Sequence, residues 1–571
     1  MSGAWSGRGR HLSAGARHFE GKPGIAGALE IDMAGSSDAV TEKGAVGRRR
    51  TRRALLAGVA AAAAGGTAAG VTVLARTGTP GEDPPAPAAG GGTGAAVPTP
   101  TPDQDRPIED AWAGAAHLLR RAGWGGSLAE IDTFARLGRE EAVDRLVAFE
   151  GVDNASLEAR IAKAAFNLTT PGRGLDGKRP PLIRDMQRWW LTRMAYSARP
   201  LEERMTYIWH GLLTSQVSQV GIRAAKQMVR QNELFRAHAL GRYGDLLQAV
   251  SKDPAMMLYL NTIESTKAHP NENYARELME LFSMGEGNYT EEDVRESARA
   301  FTGWRLTRAG RERPPEGLSE RERDEWLNQM WAAWEPEFRL EPRLHDAGSK
   351  TFLGQTGNFG GEDIVRIIME QAATGRFITR RLFSELAYRD PGDEVIDRLA
   401  EVWEATDHSV REVVKAILLS DEFWSMRAYR SLVRSPVEFA VGAVRALGIE
   451  TDWRTIEQSA AGMDQRLFEP PGVAGWPGGE AWLSSGTFFG RVNFLDAFLF
   501  PRGRPIAIPV LEGQASVEDM VDTALKALVD DNIAEASREA LYAHAETVPA
   551  GPGRAATVAY LVLASPEYQL I

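Results

Sequence analysis

The stretch HPNENYARELMELFSMGEGNY, His269 to Tyr289, decides how the chain is read. Taken as a helix beginning near Asn271, it places Tyr274, Ala275, Leu278, Leu281 and Phe282 at i, i+1, i+4, i+7 and i+8. That spacing draws one apolar stripe along a 3.6-residue helix, the face that a folded chain buries. Asn273, Arg276, Glu277 and Glu280 fall on the opposite side, with Glu272–Arg276 and Arg276–Glu280 one turn apart. Such i,i+4 pairs contribute only about 0.2–0.5 kcal/mol each. One reading is therefore an amphipathic helix with an Asn at its start and a paired, solvated face. The functional reading starts from the crowding before the first turn. There His269 and Asn271 stand where free N–H groups and the helix dipole favour anions. Glu277 and Glu280, a turn further on, then serve as oxygen ligands or as a general base. The following Gly285-Glu286-Gly287-Asn288 reads as a turn, since it lacks the alternating acids and closing Glu of a calcium-binding loop.

Working outward, composition removes several alternatives. The 571 residues leave room for several domain-sized units, and 43% hydrophobic with 25% charged residues is ordinary for a soluble globular chain. A net charge of −11 argues against a general nucleic-acid binder, which needs a basic footprint. The absence of cysteine excludes disulfides, thiolate zinc sites, a cysteine nucleophile and a lipid anchor on cysteine. Any divalent metal would have to be held by His, Asp, Glu or Asn.

Residues 1–75 read as an N-terminal extension ending in an export signal. In RRRTRRALLAGVAAAAAGGTAAGVTVLA, 48–75, a basic cluster precedes an Ala/Gly/Val run and a small-residue end. Thr51-Arg52-Arg53-Ala54-Leu55-Leu56 resembles the twin-arginine signal, and Met33 offers a start alternative to Met1. Left uncleaved, the run is long enough for a membrane anchor, which needs about 20 residues. Residues 76–106 are rich in Pro, Gly, Ala and Thr and read as a linker. An extracytoplasmic protein, in the periplasm, at the cell surface or secreted, is expected.

From 107 to 571 helical periodicity dominates, and a mainly α fold is expected, in one or two subdomains with at most a short β-hairpin. Helices are expected over 128–149, 181–197, 201–214, 224–250, 363–370 and 436–447, and Thr290 with Asp293 has capping-box spacing. The hairpin is expected between 337–342 and 350–354. A charged insertion, 307–335, reads as a peripheral excursion.

Further candidates are scattered. His210 ends a helix rich in large residues, either as a structural histidine favoured by the dipole or as a catalytic one. His345-Asp346 lies in the expected hairpin loop, where Asp also suits a turn for its own reasons. Were His269, His345 and Asp346 to converge with Glu277 and His210, they would make a mixed His/carboxylate metal site. Trp304 and Trp476 stand in turn-forming surroundings, either as platforms for sugars or as plugs between helices. No P-loop, HExxH zinc helix or G-x-S-x-G elbow occurs.

In this order, HLLRRAGWG (117–125), MTYIWHGLLTS (205–215), HPNENYARELMELFSMGEGNYTEEDVRESARAFTGW (269–304), HDAGSKTFLG (345–354) and PPGVAGWPGGEAWLSSGTFFGRVNF (470–494) resemble the bacterial family catalogued as domain of unknown function 1800. The resemblance implies an exported, largely helical protein whose gene often neighbours an exported protein with a sulfatase-like fold. It draws attention to Asn271, Glu272, Asn273, Arg276, Glu277 and Trp304 without separating catalysis from packing. Two functions are expected from this. One is an exported hydrolase-like enzyme acting on a polysaccharide or other envelope polymer, with Glu277 and His210 catalytic and Asn271, Asn273, Arg276, Trp304 and Trp476 contacting substrate. The other is a non-catalytic envelope module that supports a sulfatase-like partner.

Overall fold

Helix starts in this chain are written in capping chemistry. Ser127, Thr290, Ser319 and Ser435 each accept the N–H of the acid three residues on, and Glu130, Asp293, Glu322 and Glu438 reach back to the capping residue. Two orphan donors are satisfied at each start. The computed structural model describes residues 104–169, 181–221, 224–308 and 313–571. Among the described residues there are twenty-three α-helices and two small antiparallel sheets, so the fold is mainly α. All of them belong to one unit, Gly91–Ile571. The signal or anchor expected within 1–75 lies outside the described residues, as does the linker up to 103. No described helix is long and apolar enough to cross a membrane.

The apolar stripe of the opening stretch is buried except at Leu281, which follows the last helical residue and is only partly buried. The helix runs Asn273–Glu280, and Tyr274, Leu278 and Phe282 are at most 1% exposed. Tyr274 meets Phe301 edge-on at 5.0 Å and shares a hydrogen bond with Ser251. Burying such side chains stabilises by about 1.5–3 kcal/mol each, several times what the surface pairs supply. The apolar face therefore sets the position of this helix.

Two buried clusters make up the interior. The first holds Trp209, Tyr274, Phe301, Trp304 and Trp403, and the second Trp124, Trp190, Phe439, Phe468 and Tyr568. Leu258 and Tyr259, at the end of the helix Pro254–Tyr259, pack on both and mark the seam between them.

Three expectations need correction. Residues 128–149 form two helices, Leu128–Leu137 and Arg139–Val147, broken at Gly138 with φ 75°. Residues 224–250 also divide, into Lys226–Ala237 and Tyr243–Ser251. Trp209 Nε1 donates to Ala239 O in that break, and Tyr243 N donates to His408 O, so tertiary partners take over the backbone there. The expected hairpin does not form. Strand β1 (Trp304–Leu306) pairs with β2 (Phe338–Leu340), while β3 (Lys350–Phe352) pairs with β4 (Gln355–Gly357). The segment between β2 and β3 is tied to Thr302–Gly303 instead: Glu341 N donates to Gly303 O, and His345 Nδ1 lies 2.8 Å from Thr302 O. Gly303, at φ 80°, is required there, because a Cβ would lie 2.8 Å from Glu341 O and His345 N.

Candidate functional site

The wet face of the helix Asn273–Glu280 is almost wholly paired. Arg276 binds Glu291 through both Nη atoms at 2.8 Å and approaches Glu272 at 3.7 Å. Glu280, expected to pair with Arg276, instead accepts a hydrogen bond from Tyr289 at 2.8 Å. Asn271 serves the helix start: its Oδ1 accepts Asn273 N, its Nδ2 donates to Asn261 O, and its own N donates to Ser265 Oγ. Asn273 is exposed. Glu277 is the exception. Half-buried, its carboxylate has no ion pair or hydrogen bond among the described residues. Burial pushes its pKa up, Glu280 adds to the rise, and Arg276 only partly opposes it.

Glu277 does not stand alone at the seam. Tyr259 has its phenol pushed up by burial first, then by Glu277 and by Glu469. Tyr259 therefore lies within the field of both carboxylates. Both Glu469 oxygens are held, one by Gln216 Nε2 and the other by Ser218 N, each at 3.1 Å. Sequence reasoning missed Glu469 and Tyr259. The available signal was slight: Glu469 directly precedes the Pro470-Pro471-Gly472 run.

That run forms a loop pressed against the end of the helix Pro200–Leu212. The helix is anchored inside by Glu203, which accepts from Arg193 at 2.9 Å and from Arg236 at 2.7 and 2.9 Å. Thr214 Oγ1 donates to Val473 O, and Val217 N donates to Phe468 O at 2.9 Å. Gly475, at φ 81°, admits no side chain, since a Cβ would lie 2.4 Å from Gly211 O. Half-buried Trp476 stacks on Tyr207 at 6.5 Å with 10° between the planes.

His210 is boxed in by this loop. Its ring lies 5.2 Å from Trp190, 5.6 Å from Phe468 and 5.6 Å from Trp476, and the residue is 1% exposed. Burial lowers its pKa to about 3, so the imidazole is neutral in ordinary conditions, and Nε2 has no partner among the described residues. A neutral imidazole so enclosed suits packing better than proton transfer. It braces the loop that carries Phe468 and Trp476. Behind it, Gln231 Nε2 bridges Ser215 Oγ at 3.0 Å and Asp253 Oδ1 at 2.8 Å, and burial pushes Asp253 up to about 7.

The metal candidates lie elsewhere. His269 closes a turn by donating its N to Thr266 O at 2.9 Å. Asp346 accepts Arg299 Nε and Gly348 N, both at 2.8 Å, and the guanidinium holds its carboxyl down at about 2. Among the described residues no three His, Asp or Glu side chains are grouped to hold a metal ion. The structure therefore does not bring His269, His345 and Asp346 together with His210 and Glu277 as one metal centre. Trp304 is no platform either. It is 1% exposed and packs edge-on against Phe301 and Phe338 at 4.9 and 4.7 Å. Beside this corner, Arg305, Arg308, Arg339 and Arg343 line a concavity of about 270 Å³ with Glu341 as its single acid.

The family model described as "Protein of unknown function (DUF1800)" matches residues 117–570. The chain belongs to the DUF1800 family. No curated protein and no solved structure matches it. The matched span takes in every part of the seam, from Tyr207 and His210 through Tyr259 and Glu277 to Glu469 and Trp476. It opens at His117, a buried residue whose Nε2 lies 3.0 Å from Phe423 O. The family description names no activity, so a function for this DUF1800 chain has to be argued from the seam itself.

Proposed function

We propose that this DUF1800 protein is an exported hydrolase-like enzyme acting on an envelope or extracellular polymer, with its reacting groups at the seam. The observation that carries this reading is Glu277, a half-buried carboxylate with a raised pKa and no partner among the described residues, which together with Glu469 acts on Tyr259. A carboxyl whose pKa is raised by burial suits a general acid, and a second carboxylate with both oxygens oriented suits the base or nucleophile. Glu277 takes the first role and Glu469 the second. Tyr259, which feels both, is a hydroxyl able to donate to a developing charge. The Trp476 ring, presented by a Pro/Gly loop, offers a stacking surface for a sugar ring. Export rests on the basic, apolar and small-residue layout at 48–75.

The test is release of reducing ends from purified envelope polysaccharides by the wild type and by Glu277→Gln and Glu469→Gln. The expected result is release by the wild type and a loss of at least about a hundredfold in each variant, the usual scale for a general acid or base. Release that is unchanged in both variants would refute the assignment.

A second reading has one observation of its own. The helix Glu320–Ala333 in the insertion carries no buried residue, although Trp326, Leu327, Met330 and Trp331 stand half-exposed along it. Such a helix suits a docking element for an exported partner, with a sulfatase-like protein the first to try. Deletion of 313–333 that abolishes co-purification with that protein while leaving polymer cleavage intact would favour it.

A further inference from the structure

The second core holds more positive charge than its own residues neutralise. Arg120, Arg121, Arg204, Arg430, Arg434 and Arg491 are each at most 7% exposed. Two buried carboxylates answer them. Asp530 pairs with Arg120 at 2.7 Å and Arg430 at 2.9 Å, and Glu438 pairs with Arg204. Two of the remaining arginines find neutral acceptors. Arg121 donates to Ala428 O and Ser431 Oγ, and Arg491 to Gln569 Oε1, Arg434 O and Trp482 O. Arg434 has neither. Its guanidinium lies 4.3 Å over the Tyr568 ring and has no oxygen acceptor among the described residues. Burial, then Arg120 and Arg430, press its pKa down to about 10, which still leaves it charged at neutral pH.

Arg434 lines a small cavity with Arg120, Tyr568, Gly125, Gly126 and Gly442, about 20 Å³ in volume. Arg120 Nε and Arg434 Nε are both buried there without an acceptor. The walls are kept small: a Cβ on Gly442 would lie 3.1 Å from both Arg434 Nη1 and Tyr568 Oη. A space of this size takes one water-sized sphere, for which about 10–15 Å³ suffices. A water would occupy the space but bring no charge, and an uncompensated buried ion costs several kcal/mol.

We propose that this cavity is a site for a single monatomic anion, chloride in ordinary media, held by Arg434 and Arg120. The anion supplies the acceptor that Arg120 Nε and Arg434 Nε lack and offsets the surplus charge of six arginines against two carboxylates. It ties the first described helix, Ala111–Arg121, to the segments bearing Arg434 and Tyr568, so chloride acts as a structural ligand of the fold. The site stands apart from Glu277 and Glu469 and holds whether or not those residues are catalytic.

The test measures the thermal midpoint of the full chain at constant ionic strength while potassium chloride replaces potassium gluconate, whose anion is far too large for the cavity. The wild type should rise with chloride by an equal increment per tenfold concentration once its dissociation constant is passed. Arg434→Met should lose that increment. Crystals of the wild type soaked in bromide should show an anomalous peak beside Arg434, which decides the matter even if the variant fails to fold. Equal midpoints in chloride and gluconate together with no bromide peak would leave water as the occupant and overturn the proposal.

Discussion

At the corner between Arg299 and Lys350, Asp346 receives a guanidinium and a backbone N–H, and its main-chain oxygen receives Lys350 Nζ at 2.7 Å. At the seam, Glu277 is also partly buried, on a helix, yet nothing donates to it among the described residues. The first carboxyl is held down at about 2 and the second is pushed up. The same residue chemistry has been settled in one place and left open in the other. A carboxylate saturated by its own chain fixes a bend; one that is half-buried and unsaturated gains its missing partner only from a ligand.

The comparison can be broken at several points. The largest effect is expected at Trp304, which belongs to the settled corner. Trp304→Ala should destabilise by about 3–5 kcal/mol in a denaturant titration, the cost of a large buried aromatic. A loss below about 1 kcal/mol would mean that the ring is a surface platform after all. Asp346→Ala should cost about 1.5–3 kcal/mol at neutral pH, the range for hydrogen bonds to charged groups. Because the folded carboxyl lies below its unfolded value of 3.8, that contribution is present above the unfolded value. It should fade as pH falls through the window from about 4 to about 2, so the wild type and variant curves converge there.

His210 gives a pH-specific handle. Its folded pKa lies near 3 against an unfolded 6.5, so the wild type loses stability as pH falls across that interval. His210→Phe, which keeps the packing against Trp190, Phe468 and Trp476, should remove a slope of up to about 1.4 kcal/mol per pH unit. An unchanged acid limb would show that the imidazole is not buried neutral. The smallest effect belongs to Arg276. Its pair with Glu291 is largely exposed, and Arg276→Ala should cost no more than about 1 kcal/mol, falling further in high salt.

How far the sequence reaches can be seen on the same residues. The stripe Tyr274, Ala275, Leu278 and Phe282 was legible because burial follows helical period. The box at Thr290–Asp293 and the helix Pro436–Leu447 were legible because capping and Pro at the first turn are local. The breaks at Gly138 and near Gly241 were not, since one glycine inside a periodic run is tolerated unless tertiary contacts claim it. Arg276 was assigned to Glu280 by spacing and went to Glu291 on the next helix, a bidentate partner that no i,i+4 rule contains. Glu277 could be singled out as a candidate. That its carboxylate lacks a partner among the described residues, and that Tyr259 feels both it and Glu469, depends on segments far apart in the chain.

That Glu277 does no structural work and stays open to a ligand is what the proposed chemistry requires. It is tested most directly by the thermal midpoint of Glu277→Gln against the wild type from pH 3 to pH 8. A folded carboxyl raised above its unfolded 4.5 contributes stability below that value and loses it as pH rises through the folded pKa. The variant should therefore match the wild type at the acid end and equal or exceed it at neutral pH, the gap opening as pH rises. A variant that melts below the wild type at neutral pH would show that Glu277 holds the fold together, and would contradict the account.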